Sequence, residues 1–485
     1  MSFVTKNKSY YLNIAIWLLI TFGVGFLPPF AQVTELGMKV LGIFLGVIYA
    51  WCFIALDWTS MVALVALAVV GYSAGDATFL AGWSFQTLPQ MVLCFIFAEG
   101  IAQTRLTDYI ANKMLSVKLF RGRPYALITG ICVSMLIMNL LQCALAGLFI
   151  LWSLAAVIAE KAGYEKNNAF TTVIVASTVA IFVWSAAIFP FAPMTILQIG
   201  FLKQAMPGIE VPFFNWIALW LTFVVIYATI WPLVLKYIFR LDFSAIANID
   251  FSELITNKEA MKMTSNQKFG LGVLIGFMCV MMVPKVMPAT WAITKIASSM
   301  GLSGCLALAC AVMVAFRNSN GEHYLTMQKA AQGVQWNVVW LTVATQPLGS
   351  AINSADCGIM ASIMTTITPW LTTITPTMFL VAVVIVLGIT TQVVHNMVLM
   401  VVFIPILVPI YASMGGNPWI MFVGMYVALN AAFATPAASW NSAMMFGCGG
   451  IISKKMYVHG TAHFIFSLLL FFLVMLPMAT FLLPY

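Results

Sequence analysis

Long runs of apolar residues, broken only by short polar segments, cover almost the whole chain. The runs are continuous rather than alternating, which is typical of membrane-spanning helices. Taking about 20 apolar residues for each crossing, the pattern predicts eleven spans, near 11–30, 36–56, 59–75, 88–104, 169–202, 214–238, 268–288, 303–316, 334–351, 418–449 and 460–484. The predicted fold class is therefore an all-α polytopic membrane protein.

Two further apolar stretches, 124–162 and 376–413, are about twice as long as a span. Each carries polar residues at its middle, with Gln142 in the first and Asn396 in the second. A stretch of this kind is either two full crossings or a re-entrant helical hairpin whose tip lies at membrane depth. We interpret both as hairpins because polar groups at that depth are tolerated where they are buried in protein or line a cavity.

The same order of elements occurs in both halves of the chain: a span, a hairpin, and then a span interrupted by proline and polar residues. Gln142 and Asn396 lie 254 positions apart, and the charge pattern places the two copies in opposite orientations. Inverted repeats with broken helices are how many secondary transporters build a binding site near the bilayer midplane. The predicted organisation is a first half (1–238, hairpin 124–162, broken helix 169–202), a cytoplasmic linker (239–267) and a second half (268–485, hairpin 376–413, broken helix 418–449).

Composition excludes several classes of protein. Of the 485 residues, 62% are hydrophobic and 7% charged, whereas an ordinary soluble domain is about 25% charged. Soluble enzymes, nucleic-acid binders and secreted disulfide modules are thereby set aside. The net charge of +8 indicates topology, because 18 of the 22 basic residues fall on one predicted side and Lys39, Lys203, Lys285 and Lys295 on the other. This predicts a multi-pass protein of the inner (plasma) membrane with a cytoplasmic N-terminus and an outer C-terminus.

The segments TQVVHNMVLMVVFIPIL and ATPAASWNSAMMFGCG carry a family resemblance. They resemble the second hairpin tip and second broken span of the divalent anion:sodium symporter family, within a wider ion-transporter superfamily, and the order of elements matches over roughly 30–480. Family members have Ser-Asn-Thr at each tip. Here Asn396 is retained between His395 and Met397, while the first tip, with Gln142 and Cys143, retains none of the three residues.

The resemblance implies an elevator-type secondary transporter of di- or tricarboxylates, driven by sodium, that assembles as a homodimer through a scaffold domain. No other cofactor is implied. Because the Ser-Asn-Thr oxygens that a hard cation would use are partly lost, coupling to protons is an open alternative.

Candidate site residues are those at the helix breaks, those at the hairpin tips, and one carboxylate that lies inside an apolar span. Helix N-termini at tips and breaks favour an anion, and a charged residue inside a span is a functional candidate because charge there is expensive. The predicted substrate-binding residues are Gln142, Cys143, His395, Asn396, Met397, Pro436, Ser439 and Asn441, and the predicted ion-coupling residues are Asn139, Glu99, Thr435 and Ser185. For Glu99, a place near the cytoplasmic interface is the alternative, because Arg105 follows six residues later.

Other functions stay open or find no support. A cation/proton antiporter or oxyanion exporter of the same superfamily, with Glu99 and His395 carrying protons, is the alternative carrier. An intramembrane enzyme would need paired aspartates or histidines on facing spans, and the chain has only scattered ones. No Walker A, H-E-x-x-H or G-x-S-x-G motif occurs, and no C-x-x-C, so the sequence predicts no ATP-driven pump, hydrolase or metal site.

Overall fold

A computed structural model describes residues 3–85, 87–115, 122–142, 144–247, 262–371 and 373–483. These residues form helices and connecting turns without a β-strand. In chain order the helices are α1 (Phe3–Gly23), α2 (Glu35–Phe53), α3 (Trp58–Val69), α4 (Gly75–Trp83), α5 (Thr87–Gln103), α6 (Leu106–Leu115), α7 (Pro124–Leu140), α8 (Ala144–Lys161), α9 (Ala169–Ala186), α10 (Pro193–Ala205), α11 (Phe213–Tyr237), α12 (Ser244–Ala247), α13 (Ser265–Val286), α14 (Ala292–Ala315), α15 (Met327–Gly333), α16 (Trp336–Asn353), α17 (Ile359–Leu371), α18 (Pro376–Thr390), α19 (Asn396–Ser413), α20 (Pro418–Asn430), α21 (Trp440–Gly447), α22 (Ser453–Leu470) and α23 (Leu476–Leu482).

The predicted fold class is confirmed. Eight helices in the described part of the chain are long and apolar enough to cross a membrane, and α4 with α5 would make a ninth, bent by 53°. Each of the eleven predicted spans coincides with a helix or a broken pair of helices. Helices α22 and α23 form one continuous element of 30 residues, because a single π-helical turn joins them.

Some helix bounds differ from the predicted spans. The predicted span 303–316 is only the second part of α14, which begins at Ala292 and kinks at Gly301 (φ 57°, ψ −170°). Its first part contains serines, a threonine and Lys295, which hide it from a hydropathy pattern. Helix α17 was not predicted for a related reason, because its threonines lower its hydropathy.

Glycines set the distance between α1 and α2. A Cβ added to Gly42 would lie 2.8 Å from the Thr21 carbonyl oxygen, and one added to Gly46 would lie 2.0 Å from the Thr21 hydroxyl oxygen. These two glycines therefore allow the close helix contact typical of a G-x-x-x-G pair. At Gly272 and Gly276, which have the same spacing, no described residue lies within 4 Å of an added Cβ.

Two helical hairpins, each followed by a broken helix, occupy the two halves. The first hairpin is α7 and α8, with Leu141 and Gln142 at the described part of its tip, followed by α9 and α10. The second is α18 and α19, with its tip at 391–395, followed by α20 and α21. Of the predicted linker 239–267, residues 248–261 lie outside the described part of the chain.

An aromatic core lies where α11 crosses the broken helices. Trp184 of α9 packs against Trp220 and Phe223 of α11 and against Phe433 in the break after α20. Helix α22 closes this core, with the His463 Nδ1 2.8 Å from the Tyr227 hydroxyl oxygen. His463 is fully buried, because this face of α22 packs inward.

Candidate functional site

The first helix break lies between α9 and α10. Helix α9 ends at Ala186, Pro190 follows, and Pro193 begins α10 as its first residue. Proline lacks a backbone N–H and is well suited to a first helical position. The indole N–H of Trp216 donates to the carbonyl of Ala187 at 2.8 Å, which satisfies one of the groups that the end of α9 leaves free.

The first hairpin tip is attached to this break by an asparagine. Asn139 Nδ2 donates to the Phe182 carbonyl and to the Ser185 hydroxyl oxygen, both at 2.7 Å. Ser185 in turn donates to the Ile181 carbonyl. The structure thus brings the two predicted ion-coupling residues Asn139 and Ser185 into direct contact, at the last turn of α9.

The second helix break, between Asn430 and Trp440, is held mainly by Gln392. Its Oε1 accepts hydrogen bonds from the backbone N–H groups of Phe433 (3.2 Å) and Ala434 (2.8 Å). Its Nε2 donates to the carbonyl of Ala431 at 2.9 Å. One buried side chain therefore bonds three backbone groups of this irregular segment, two of which, the Phe433 N–H and the Ala431 carbonyl, also bond each other at 3.1 Å.

The predicted residues of the second tip and break bond either to their own neighbours or between tip and break. Asn396 donates its backbone N–H to the Ala438 carbonyl at 2.9 Å, and His395 Nδ1 accepts from the Met397 N–H at 3.3 Å. Thr435 donates to the Gln392 carbonyl, and Ser439 caps α21 by accepting from the Ser442 N–H at 3.1 Å. Pro436 is exposed and Met397 is buried.

A cavity of about 190 Å³ lies between the first hairpin tip and both helix breaks. It is smaller than the roughly 300–1,000 Å³ that a drug-sized ligand needs, so it suits a small solute. Its polar lining is formed by Glu99, Asn139, Gln142, Gln335, Asn430 and Asn441, and much of its apolar lining by Phe95, Leu145, Phe182, Met194, Tyr426 and Trp440.

Four of the predicted site residues, Glu99, Asn139, Gln142 and Asn441, meet at this cavity. Ser185 lies behind it, bonded to Asn139. The predicted residues of the second tip and break, His395, Asn396, Met397, Thr435, Pro436 and Ser439, are not among those that line it, and Cys143 lies outside the described residues.

Three residues of the site were missed by sequence reasoning. Asn430 lines the cavity at the last residue of α20, and Gln335 and Trp440 line it from α16 and α21. Asn430 could have been found from the sequence, because a polar residue that directly precedes a predicted break is placed at the break. Gln335 offered no comparable signal.

Two helices begin at the cavity wall. Helix α10 has Ala192 as its N-cap and no side-chain cap, and Met194 in its first turn lines the cavity. Helix α21 presents Trp440 and Asn441 from its first turn. The first N–H groups of a helix lack partners within the helix and carry its positive dipole end. This wall is therefore suited to an anionic group.

The backbone at the first tip is strained. Gln142 has φ 58°, in the left-handed region that costs a non-glycine residue about 1 kcal/mol or more. We expect Gln142→Gly to raise the apparent melting temperature slightly while lowering solute binding, because it removes both the strain and the side chain in the cavity. Thermal unfolding in detergent and uptake in proteoliposomes measure the two effects.

Arg240→Gly is the matched control for this variant. Arg240 is exposed, has φ 50° and lies away from the cavity, so relief of its strain is expected without any change in transport. A Gln142→Gly protein with wild-type uptake would show that the Gln142 side chain takes no part in binding.

Comparisons with known proteins give a structural match. Neither a family model nor a curated protein matches the sequence. Among solved structures, the chain is similar to the YdaH transporter of Alcanivorax borkumensis, described as having an unusual topology, with a TM-score of 0.57 and 14% sequence identity over 87% of this chain and 90% of that one. The chain therefore has the fold of a polytopic membrane transporter, and its place in the divalent anion:sodium symporter family stays a prediction.

Proposed function

We propose that the protein is a secondary active transporter of small organic acids, with the 190 Å³ cavity as its substrate site. The observation that carries the proposal is the meeting of the first hairpin tip with the N-terminal turns of α10 and α21 at this cavity. Helix N-termini and side-chain amides are suited to a carboxylate, and broken helices at a cavity are common in secondary transporters. The resemblance of the sequence points to di- or tricarboxylates.

The transport cycle that we propose is of the elevator type, with the hairpins and broken helices moving against the remaining helices. We also propose that the protein is a homodimer in a plasma membrane, with a cytoplasmic N-terminus. The elevator cycle and the homodimer are proposed from the family resemblance, and the membrane and orientation from the sequence.

Sodium or protons are the proposed coupling ions. The Oδ1 of Asn396 is buried and has no hydrogen-bond partner among the described residues. An unpartnered oxygen of this kind is a ligand that a hard cation prefers, which favours sodium at the second tip. The alternative, a cation/proton antiporter or oxyanion exporter, uses Glu99 and His395 as proton carriers.

Uptake of labelled succinate, citrate and an ω-amino acid by proteoliposomes, under a sodium gradient, a proton gradient or neither, tests the proposal. Accumulation of at least one of these solutes that depends on one gradient is the expected result. We further expect Asn396→Ala to abolish sodium-dependent uptake while the protein still elutes as a folded species. The matched control is Asn353→Ala, since Asn353 is exposed and bonds only to the Gly349 carbonyl of its own helix.

The absence of uptake of any carboxylate-bearing solute under every gradient would contradict organic-acid transport. Exchange of cations for protons under the same conditions would favour the alternative carrier.

A further inference from the structure

Two of the side-chain amides that line the cavity, Asn139 and Asn430, have their nitrogens engaged by other groups of the protein. Asn139 Nδ2 is held by the Phe182 carbonyl at 2.7 Å, and Asn430 Nδ2 by the Tyr426 carbonyl at 2.8 Å and by Gln198 Oε1 at 3.2 Å. A backbone carbonyl only accepts hydrogen bonds, so it fixes which end of each amide is the NH₂ group. The oxygens of Asn139 and Asn430 are therefore left for a ligand.

A third amide oxygen is also free. The Oδ1 of Asn441 is buried and has no hydrogen-bond partner among the described residues, and its side chain is only 8% exposed. A buried acceptor without a donor is costly, and such groups are rare in native structures. These three oxygens favour a ligand that donates hydrogen bonds.

Glu99 adds a carboxylate to the lining of the cavity. Its carboxylate accepts from Gln103 Nε2, and Gln103 Oε1 accepts from Lys329 Nζ at 3.2 Å. The amide of Gln103 thus separates the two charges, and the described residues make no ion pair with Glu99. Among the described residues that line the cavity there is no Lys, Arg or His.

A carboxylate that lines a cavity without an ion pair favours a ligand that brings a positive charge to it. Neither a dicarboxylate nor a tricarboxylate supplies that charge. An ammonium group supplies it, and it also donates three hydrogen bonds to oxygens of the kind that Asn139, Asn430 and Asn441 present. The rings of Phe182 and Trp440, 5.9 Å apart and nearly perpendicular, add aromatic surface that attracts a cation.

We propose that the transported solute is zwitterionic, with an ammonium group bound by Glu99 and the amide oxygens of Asn139, Asn430 and Asn441, and a carboxylate bound at the first turns of α10 and α21. The inference rests on the proposed function and narrows its substrate class to amino-carboxylates. Glu99 is then a specificity-determining residue that selects against solutes lacking the ammonium group.

Thermal shifts of the purified protein in detergent test the binding preference without requiring transport. The probes are ω-amino acids of increasing length, from glycine to 5-aminovalerate, each paired with the unsubstituted carboxylate of the same length, and succinate and glutarate. A ligand that binds the folded state raises its melting temperature. We expect at least one amino acid to bind at least about tenfold more tightly than the unsubstituted carboxylate of the same length, because the unsubstituted carboxylate cannot form the charge pair with Glu99.

Glu99→Gln is expected to abolish this preference, because the neutral amide keeps the shape of the side chain and removes its charge. Binding of the unsubstituted carboxylates should stay within about twofold of wild type. Glu160→Gln is the matched control, since Glu160 is exposed at the end of α8, and it should retain the preference.

Preferential binding and uptake of succinate or glutarate by the wild-type protein would overturn the zwitterion assignment and leave organic-acid transport standing. A preference for amino acids that persists in Glu99→Gln would overturn the role of Glu99. Failure of the proposed function has a different signature, namely no uptake of amino acids, monocarboxylates or dicarboxylates under any gradient.

Discussion

Replacement of Gln392 by alanine is expected to destabilise the folded protein by about 1–3 kcal/mol. The substitution leaves the N–H group of Ala434 without its partner, and it removes one of two partners from the Phe433 N–H and from the Ala431 carbonyl, which also bond each other at 3.1 Å. Each buried polar group that loses its partner costs about 1–3 kcal/mol. A lower apparent melting temperature in detergent and a lower yield of monodisperse protein are the measurable results.

Thr390→Ala is the matched control for this prediction. Thr390 is the last residue of α18, two residues before Gln392, and its hydroxyl donates to the Val386 carbonyl of its own helix at 2.8 Å. A surface change of this kind is expected to stay within about 0.5 kcal/mol of wild type. If Gln392→Ala has the same apparent melting temperature as the control, the break is held by contacts other than the Gln392 side chain.

Gly460→Ala is expected to have a similarly large effect for a steric reason. Its added Cβ would lie 2.1 Å from the carbonyl oxygen of Phe433, so either α22 or the break must move. The break has little freedom to do so while Gln392 holds it. Overpacking of this kind typically costs about 1–3 kcal/mol, and we expect the upper end of that range in thermal unfolding.

Gly276→Ala is the matched control, because Gly276 is exposed in α13 and has nothing within 4 Å of an added Cβ. It should be neutral or stabilising by up to about 1 kcal/mol, as expected for alanine in a helix. In the Gln392→Ala background the cost of Gly460→Ala should shrink, since the released segment can move away. Strict additivity of the two changes would mean that the contacts act independently.

Local signals in the sequence were sufficient to predict where the helices of the hairpins and of the broken spans begin and end. Pro193 cannot continue a helix from its N-terminal side, and Ser439 is a preferred N-cap, so the starts of α10 and α21 are encoded within a few residues. The polar pair Asn139 and Gln142 between two apolar runs likewise marks a turn. These features depend on neighbouring residues only, which is why a pattern along the chain predicts them.

The roles of individual polar residues were harder to predict. Resemblance drew attention to Asn396 at the second tip, while Gln392, four residues earlier, makes the hydrogen bonds that hold the break. The sequence around the two residues does not distinguish them. They differ in the length of the side chain and in the distant residues that each one contacts. Glu99 illustrates the same point, since both expected placements were partly right: it lines the cavity with Gln142 and also connects through Gln103 to the exposed Lys329.

Hydropathy, proline and polar tips act over short distances, so a pattern along the chain is enough to predict a helical membrane protein with two hairpins and two broken helices. The meeting of Glu99, Asn139, Asn430 and Asn441 at one cavity results from the packing of helices that are distant in sequence. The Phe182 carbonyl of another helix holds the Asn139 nitrogen, whereas the Asn430 nitrogen bonds the Tyr426 carbonyl one turn earlier in its own helix. Contacts between helices that are distant in sequence, such as the one at Asn139, depend on how the helices pack, and no pattern along the chain encodes them.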